Sequence, residues 1–170
     1  MANQETLNML KQGVEVWNQW RDNNPDSETD LSEADLRGIN LQSANLKNAS
    51  LREAKLQFAN LNKANLAGAR LEKAKLQGAN LQSANLCGAN LKRAALLDAN
   101  LQYANMENAD LRKAQFNEEV LFNGANLKGA DLSSATGLNS SQIDLAVTDN
   151  QTKLPDYFEE EVDDEFLTQF

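Results

Sequence analysis

The chain has 170 residues, 41% of them hydrophobic, and a formal net charge of −9, which fits one domain that buries its own core. It has no run of about eighteen apolar residues and no N-terminal basic region followed by an apolar stretch, so we expect neither a membrane span nor a signal peptide. It has no histidine and only one cysteine, Cys87, so we expect no catalytic residue, metal or cofactor, no internal disulfide, and a cytoplasmic location.

Residues 1–28 are predicted to form a helix followed by a linker. Apolar side chains recur at helical spacing from residue 4 to residue 21, in two stripes that include both tryptophans of the chain. The sequence Asn-Asn-Pro-Asp at residues 23–26 then ends the helix.

A five-residue repeat begins at Thr29 and continues without interruption to Phe116. Its central residue, taken every five positions from Leu31, is leucine in sixteen of eighteen copies. Alanine stands two residues before the centre, again in sixteen of the eighteen. The copies therefore act as an internal alignment that shows which positions the fold requires.

A period of five fits neither regular secondary structure. On an α-helix, steps of five residues advance by about 140° and carry the leucines around the cylinder. On a flat strand, an odd spacing sends successive leucines to opposite faces. We therefore predict a short extended Ala-x-Leu segment followed by a turn, with alanine and leucine both pointing inward.

A second period of twenty residues sets the number of sides. Asparagine precedes the central residue at positions 40, 60, 80 and 100, and also at 45, 65, 85 and 105. Glycine or asparagine, which tolerate positive φ, recur at 48, 68, 88 and 108, and this predicts a type II-like turn at that one corner. Twenty residues per coil and five per side predict a square cross-section.

The repeat Ala-(Asn or Asp)-Leu-x-x resembles that of the pentapeptide-repeat proteins. This resemblance implies an all-β solenoid, a right-handed quadrilateral β-helix with four pentapeptides per coil. Residues 29–135 would then hold about five coils, roughly 25 Å tall at ~4.8 Å per coil. The resemblance implies little about activity, because members of this family do different things.

Both ends of such a solenoid need cover, since an open end exposes core side chains and unpaired backbone groups. The N-terminal helix is predicted to cap the first coil, and a docking helix for a partner is the alternative. After Phe116 the repeat slips by one residue, which predicts a bulge at residues 117–119. Residues 136–155 are predicted to cap the last coil, with a short helix near residues 140–145.

Residues 156–170 form an acidic tail with aromatic and aliphatic residues spaced by four. An amphipathic helix and a disordered segment are the two alternatives for this tail. Counted by region, residues 29–116 carry twelve basic and eight acidic side chains, whereas residues 136–170 carry one basic and nine acidic. The acidity therefore belongs to the ends, and the repeat region is slightly basic.

This charge distribution bears on two functions. Some pentapeptide-repeat proteins regulate type II DNA topoisomerases by imitating DNA, which requires an acidic column, so that alternative is disfavoured here. Nucleic-acid binding would use Lys92, Arg93, Arg112 and Lys113, predicted to share one face. Their ladder alternates in sign, which is typical of a solvated surface, and we expect no nucleic-acid partner.

We therefore predict a non-enzymatic module that binds another protein of unknown identity. A structural, self-associating role is a further alternative, with a homodimer through the C-terminal region. Phe58 and Leu97, interpreted as sharing one column two coils apart, mark the preferred contact surface, and scattered apolar residues without function are the alternative. The other candidate contact residues are Tyr103, Phe158, Val162, Phe166 and Phe170.

Overall fold

The computed structural model describes residues 2–158 and contains three short helices at the two ends of the repeat region. Helix α1 spans Gln4–Lys11, α2 spans Val14–Asn23 and α3 spans Ser140–Asp144. The single helix predicted over residues 4–21 is therefore wrong: the chain breaks at Gly13, whose φ is 120°. Glycine adopts this conformation without a side-chain clash, so the segment folds into two helices.

The repeat region forms ladders of isolated parallel β-bridges, one residue per side of each coil. The four ladders start at Asp30, Asp35, Asn40 and Asn45 and rise in steps of twenty residues. The predicted coil of twenty residues with four sides is confirmed by this register. Within residues 2–158 the repeat contributes no strand longer than a single bridge residue, because a corner follows every bridge.

The register first changes after Phe116, and it changes again in the last coil, where Asp131 pairs with Lys153 at a step of 22 residues. Asn100 pairs with Leu121 and Asn105 pairs with Asn126, so these steps are 21 residues instead of twenty. One additional residue has therefore entered the chain, as the slip in the sequence predicts. The rings of Phe116 and Phe122, with centroids 5.5 Å apart, fill the core at this level.

The interior consists of the alanine and central positions of the repeat. From Ala34 to Ala135, each repeat alanine and each central residue is at most 4% exposed. The inward orientation predicted for Ala-x-Leu is confirmed. Because successive coils place leucine over leucine, each buried side chain adds ~1.5–3 kcal/mol of transfer free energy.

Every side ends in the same tight turn. The amide of the next alanine donates to the carbonyl of the central leucine, as in the 3.0 Å bond from Ala64 to Leu61. The second residue after the centre has φ between 56° and 67° at each corner from Glu33 to Lys113, and again from Gly124 to Ser134. The prediction of such a turn at one corner only is wrong, because the positive φ occurs on all four sides, where the amide of the corner residue donates to the next coil, as Lys73 does to Lys92 at 3.0 Å.

Where asparagine or aspartate precedes the centre, its side chain stabilises the turn. Its side-chain oxygen accepts a hydrogen bond from the amide two residues ahead, for example Asn65 from Ala67 and Asn85 from Cys87, both at 3.2 Å. Asparagine and aspartate form such local Asx bonds readily. The repeat therefore uses these residues to guide the chain into the corner.

Helix α2 contacts the first coil through polar bonds. The indole Nε1 of Trp17 donates to the carbonyl of Asn45 at 2.9 Å, and Trp17 is fully buried. The guanidinium of Arg21 donates to the hydroxyl of Thr29 at 2.6 Å and to the carbonyl of Lys47 at 3.0 Å. Burial lowers the pKa of Arg21, and its partners here are uncharged oxygens.

The C-terminal segment contacts the last coils in a similar way. Asn139 and Gln142 form a capping box at the start of α3. The side-chain amide of Gln142 also donates to the carbonyls of Asn117 and Val120, at 2.9 and 3.0 Å, where the register changes. Among residues 2–158, no helix is long and apolar enough to span a bilayer.

Candidate functional site

The charges of the repeat are concentrated on two adjacent sides. Sides 1 and 2 comprise residues 29–38 and their equivalents in each later coil, and sides 3 and 4 comprise residues 39–48 and their equivalents. Of the twenty charged side chains in residues 29–116, seventeen lie on sides 1 and 2. Sides 3 and 4 carry only Lys47, Lys63 and Glu107 in this range. The column therefore has one charged half and one nearly uncharged half.

Ion pairs between coils neutralise part of the charged half. Arg52 lies 3.3 Å from Glu72, and Lys73 lies 2.8 Å from Glu53, each pair linking successive coils. These pairs are the alternating ladder expected from the sequence. Exposed pairs of this kind contribute ~0–1 kcal/mol each, so their main effect is on the surface potential.

The four cations predicted to share a face are brought together at the corner between sides 1 and 2. We call Lys92, Arg93, Arg112 and Lys113 the basic corner. Lys92, Arg93 and Arg112 line one shallow depression of about 420 Å³. The backbone amide of Arg93 donates to the carbonyl of Arg112 at 3.0 Å, which places these residues in consecutive coils.

Two aspartates have arginine partners within their own repeat. The side-chain bond from Arg37, 2.6 Å long, holds the pKa of Asp35 at about 2. The same arrangement, again at 2.6 Å, lets Arg112 lower the pKa of Asp110. Both carboxylates therefore stay ionised well below neutral pH.

Sides 3 and 4 present stacked amides. The side chain of Asn60 donates to Asn40 at 3.1 Å, and that of Asn126 donates to Asn105 at 3.0 Å. These amides bond to one another and to the corner backbone, so they are already satisfied within the column. The amide stacks make a flat and regular surface without supplying an obvious group for catalysis.

Phe58 and Leu97 occupy the corner between sides 2 and 3. Phe58 is 74% exposed, whereas Leu97 is half-buried. The interpretation that they share one column is wrong. The amide of Phe58 donates to the carbonyl of Gln77 and that of Gly78 donates to Leu97, so Leu97 lies in the neighbouring column.

Tyr103 lies on a different corner, between sides 3 and 4, and is 63% exposed. Its ring covers Gly124 of the next coil: a Cβ added to Gly124 would lie 2.7 Å from Cδ1 of Tyr103. Phe58 covers Gly78 in the same manner. Each aromatic ring is therefore held along the column by a glycine that leaves room for it.

Sequence reasoning missed three exposed apolar residues near Tyr103. They are Leu121, Leu145 and Val147, at 43%, 53% and 45% exposure. With Tyr103 they form what we call the apolar patch. One signal was available, because Leu121 stands in the ladder that otherwise carries asparagine at positions 40, 60, 80 and 100.

Backbone bonds place the members of the apolar patch around one corner. The amide of Tyr103 donates to Asn123, and the amide of Gly124 then donates to the carbonyl of Leu145 at 2.8 Å. Val147 pairs with Asn126 on the adjoining side. The four apolar side chains thus belong to the last coils of the column, at the corner diagonally opposite the basic corner.

The remaining candidates from the sequence are in the C-terminal region. Phe158 is half-buried and packs against the core, with its ring 5.0 Å from that of Tyr157. Val162, Phe166 and Phe170 lie outside the described residues. Cys87 is half-buried on side 4. Within residues 2–158, no group of three or more cysteine, aspartate or glutamate side chains is placed to hold a metal ion.

Comparison with known proteins agrees with the geometry. The family model for pentapeptide repeats matches residues 29–68, 64–96 and 89–118, with eight copies. HetL from the cyanobacterium Nostoc sp. strain PCC 7120, a pentapeptide repeat protein involved in heterocyst differentiation regulation, is 34% identical over 66% of this chain, with a TM-score of 0.44. The chain spans 59% of the length of HetL.

Two further solved structures are similar to this chain. The pentapeptide repeat protein alr5209 from Nostoc PCC 7120 is 26% identical, over 80% of this chain and 95% of its own, with a TM-score of 0.49. A pentapeptide repeat protein from the Arabidopsis thaliana thylakoid lumen is 32% identical, over 76% of this chain and 84% of its own, with a TM-score of 0.29. No curated protein matches the chain.

Proposed function

Because the chain belongs to the pentapeptide-repeat family, we propose that it is a non-enzymatic module that binds another protein. The observation that carries this proposal is the apolar patch. Tyr103, Leu121, Leu145 and Val147 are exposed around one corner of a column whose other three corners are mainly polar. Clustered exposed apolar side chains mark protein interaction sites, whereas single ones need no explanation.

The backbone at the patch supports the same proposal. Tyr103 adopts φ of 58°, a conformation that costs a bulky residue about 1–3 kcal/mol. Smaller or more polar residues, Ser43 and Ser83, occupy the equivalent corner in earlier coils at the same φ. The fold therefore accepts other residues at this corner, so the turn does not require a tyrosine and the side chain can serve a contact with a partner.

The architecture of the module is part of the proposal. We infer right-handed winding and about five coils over residues 29–135, in keeping with the family. The contacts of Trp17 and Gln142 with the first and last coils support capping roles for residues 1–28 and 136–155. A cytoplasmic location belongs to the proposal as well, with the single Cys87 as its support.

The test is a photo-cross-link from the patch in cells that express the protein naturally. A photoreactive phenylalanine analogue replaces Val147, and we expect one specific cross-linked protein. That product should disappear with Leu145→Glu, which places a charge in the patch, while the thermal unfolding midpoint stays unchanged because the side chain is exposed. Phe58→Ser is the control, since it removes an exposed aromatic residue from another corner.

The outcomes distinguish the alternatives. Loss of the product with Phe58→Ser but not with Leu145→Glu would refute the patch and favour the Phe58–Leu97 corner. A product of twice the chain mass of 18.8 kDa would identify a second copy and favour self-association.

Topoisomerase regulation by DNA mimicry is the second candidate, and the charge distribution does not favour it. The repeat region carries more basic than acidic side chains, and Glu53 and Glu72 are paired with cations of neighbouring coils. A DNA mimic needs rows of unpaired anions. Inhibition of DNA supercoiling at micromolar protein would nevertheless establish that function.

A further inference from the structure

The basic corner carries three cations that the column itself does not neutralise. Within residues 2–158, Lys92, Arg93 and Lys113 form no ion pair, whereas Lys73 is paired with Glu53 one coil earlier. Arg93 and Lys113 are exposed, and Lys92 is half-buried. Three unpaired cations within two coils create a local positive potential on a chain whose net charge is −9.

The carboxylates beside this corner are already engaged. Glu72 and Asp110 line the same depression as the cations. Arg52 lies 3.3 Å from Glu72, and Arg112 holds Asp110 by two bonds of 2.6 and 2.8 Å. Asp110 is therefore fully engaged, whereas Oε2 of Glu72 has no hydrogen-bond partner among residues 2–158 and forms no ion pair with the three remaining cations.

The last ladder residue of the described chain, Lys153, lies on side 1, which ends at this corner. Lys153 pairs with Asp131, which in turn pairs with Asp110, so residue 153 stands on the same ladder two coils beyond Asp110. At ~4.8 Å per coil, the distance along the column from this level to Lys92 is roughly 15 Å. The chain then crosses to side 2, where the hydroxyl of Tyr157 accepts a hydrogen bond from the amide of Leu138.

The residues that follow Phe158 have the complementary charge. Six of the seven residues from 159 to 165 are acidic, and none is basic. Seven residues reach ~23 Å when extended, which is more than the distance from the last ladder level to Lys92. A tethered segment experiences an effective concentration in the millimolar range, so even weak charge pairing is favoured.

We propose that the basic corner binds the acidic segment 159–165 of the same chain. The geometry that points to it is the ladder from Asp110 through Asp131 to Lys153, which leads along the column from the corner where three cations without an ion pair among the described residues lie in consecutive coils. This contact lies diagonally opposite the apolar patch and does not depend on the proposed function. It also gives the basic surface a polypeptide occupant in place of a nucleic acid, which the acidic segment would repel.

The experiment uses the full-length chain with its six acidic residues at 159–165 replaced by the corresponding amides. A fluorescent peptide with the native sequence of residues 156–170 is titrated into this variant and followed by anisotropy. We expect saturable binding that weakens steeply as the salt concentration rises from 50 mM, where charges are weakly screened, to 500 mM, where they are strongly screened. The unaltered chain should bind the peptide at least about tenfold more weakly, because its own segment occupies the corner.

Charge reversal locates the site. Lys92→Glu, Arg93→Glu and Lys113→Glu, combined in the amide variant, should abolish peptide binding. The matched control is Lys47→Glu, Lys63→Glu and Lys128→Glu, which also reverses three charges but on sides 3 and 4, and should leave binding intact. Unfolding curves of both variants verify that exposed substitutions have not altered the fold.

Each contrary result overturns the proposal. Equal peptide affinity of the unaltered chain and the amide variant would show that the segment does not occupy the corner in the same chain. Binding that survives reversal of the three cations would place the peptide elsewhere. Sedimentation of the unaltered chain as a dimer, with the amide variant monomeric, would assign the segment to a second copy.

Discussion

The packing of the Tyr103 ring against Gly124 provides a quantitative test of the corner geometry. A Cβ added to Gly124 would lie 2.7 Å from Cδ1 and 2.8 Å from Cε1 of Tyr103, so Gly124→Ala must displace the ring. The substitution also places alanine at φ of 67°, which costs ~1–2 kcal/mol by itself. Two separable penalties are therefore expected.

The free energy lost when the Tyr103 ring is displaced can be worked out from the area that the ring buries. Tyr103 is 63% exposed, so about one third of an aromatic side chain of ~200 Å² is covered. At ~25 cal/mol per Å², the loss of this contact amounts to ~1–2 kcal/mol. Gly124→Ala should therefore destabilise the chain by ~2–4 kcal/mol in total. In a Tyr103→Ala background, only the backbone cost of ~1–2 kcal/mol should remain.

The assay is a double-mutant cycle from urea unfolding curves followed by circular dichroism. We expect the double variant to be more stable than the sum of the single changes predicts, by ~1–2 kcal/mol. Gly88→Ala is the control, because its φ is 62° but no atom lies within 4 Å of the added Cβ. Its effect should be additive with Tyr103→Ala. If the effects of Gly124→Ala and Tyr103→Ala also add within ~0.3 kcal/mol, the proposed packing of the Tyr103 ring against Gly124 is refuted.

Three further predictions concern the core, the N-terminal cap and acid stability. Leu71→Ala should lower the free energy of unfolding by ~2–5 kcal/mol, because it leaves a cavity in the core. Ala69→Leu should lower it by ~1–3 kcal/mol, because the core has no room for the larger side chain. Urea unfolding curves that match those of the unaltered chain would contradict the inward orientation of these residues. Trp17→Ala should cost ~3–5 kcal/mol and speed proteolysis of the first coil, whereas an unchanged melting curve would argue against capping. The pKa of Asp35 falls from 3.8 to about 2 on folding, so its contribution to stability is present above pH 3.8 and lost as the pH falls toward 2. Asp35→Asn with Asp110→Asn should accordingly make the free energy of unfolding depend less on pH in this range, measured by urea unfolding at each pH.

The core could be predicted from the sequence because its packing strongly restricts which residues fit at the inward positions. Ala and Leu positions are enclosed on all sides, so each coil must repeat the same volumes, and the repeat became readable in a single chain. The period of twenty residues followed from differences among the outward positions. The register shift after Phe116 was visible for the same reason, since any insertion displaces every later centre.

The corners were harder to predict, because two different physical requirements favour glycine at these positions. Glycine was interpreted as a signal of positive φ, yet Glu33, Phe58 and Arg93 adopt the same φ. At Gly78 and Gly124, the absence of a Cβ instead makes room for a ring from the preceding coil. A sequence pattern that considers one corner at a time cannot separate these causes, since the second depends on the residue twenty or twenty-one positions earlier.

The apolar patch was missed because half of it lies beyond the repeat. Leu121 could have been found from its ladder of asparagines, but the exposure of Leu145 and Val147 depends on how the segment after α3 returns to the column. Leu145 supplies a carbonyl to Gly124 and Val147 pairs with Asn126, and neither contact has a counterpart in the five-residue pattern. Periodicity predicts only the positions that repeat, and Leu145 and Val147 lie after the last repeat.

The separation of core and corner positions also explains how one rigid column could carry two unlike surfaces. The inward residues fix the diameter of each coil, so the shape of the column is nearly the same at every level and cannot by itself distinguish partners. Discrimination must come from the outward columns, which the core does not constrain. In residues 29–147 two diagonal corners carry clusters of side chains that differ from the polar repeat, one cationic and one apolar. A contact made at one of them leaves the other accessible, and for this reason the peptide titration and the cross-link can succeed or fail independently.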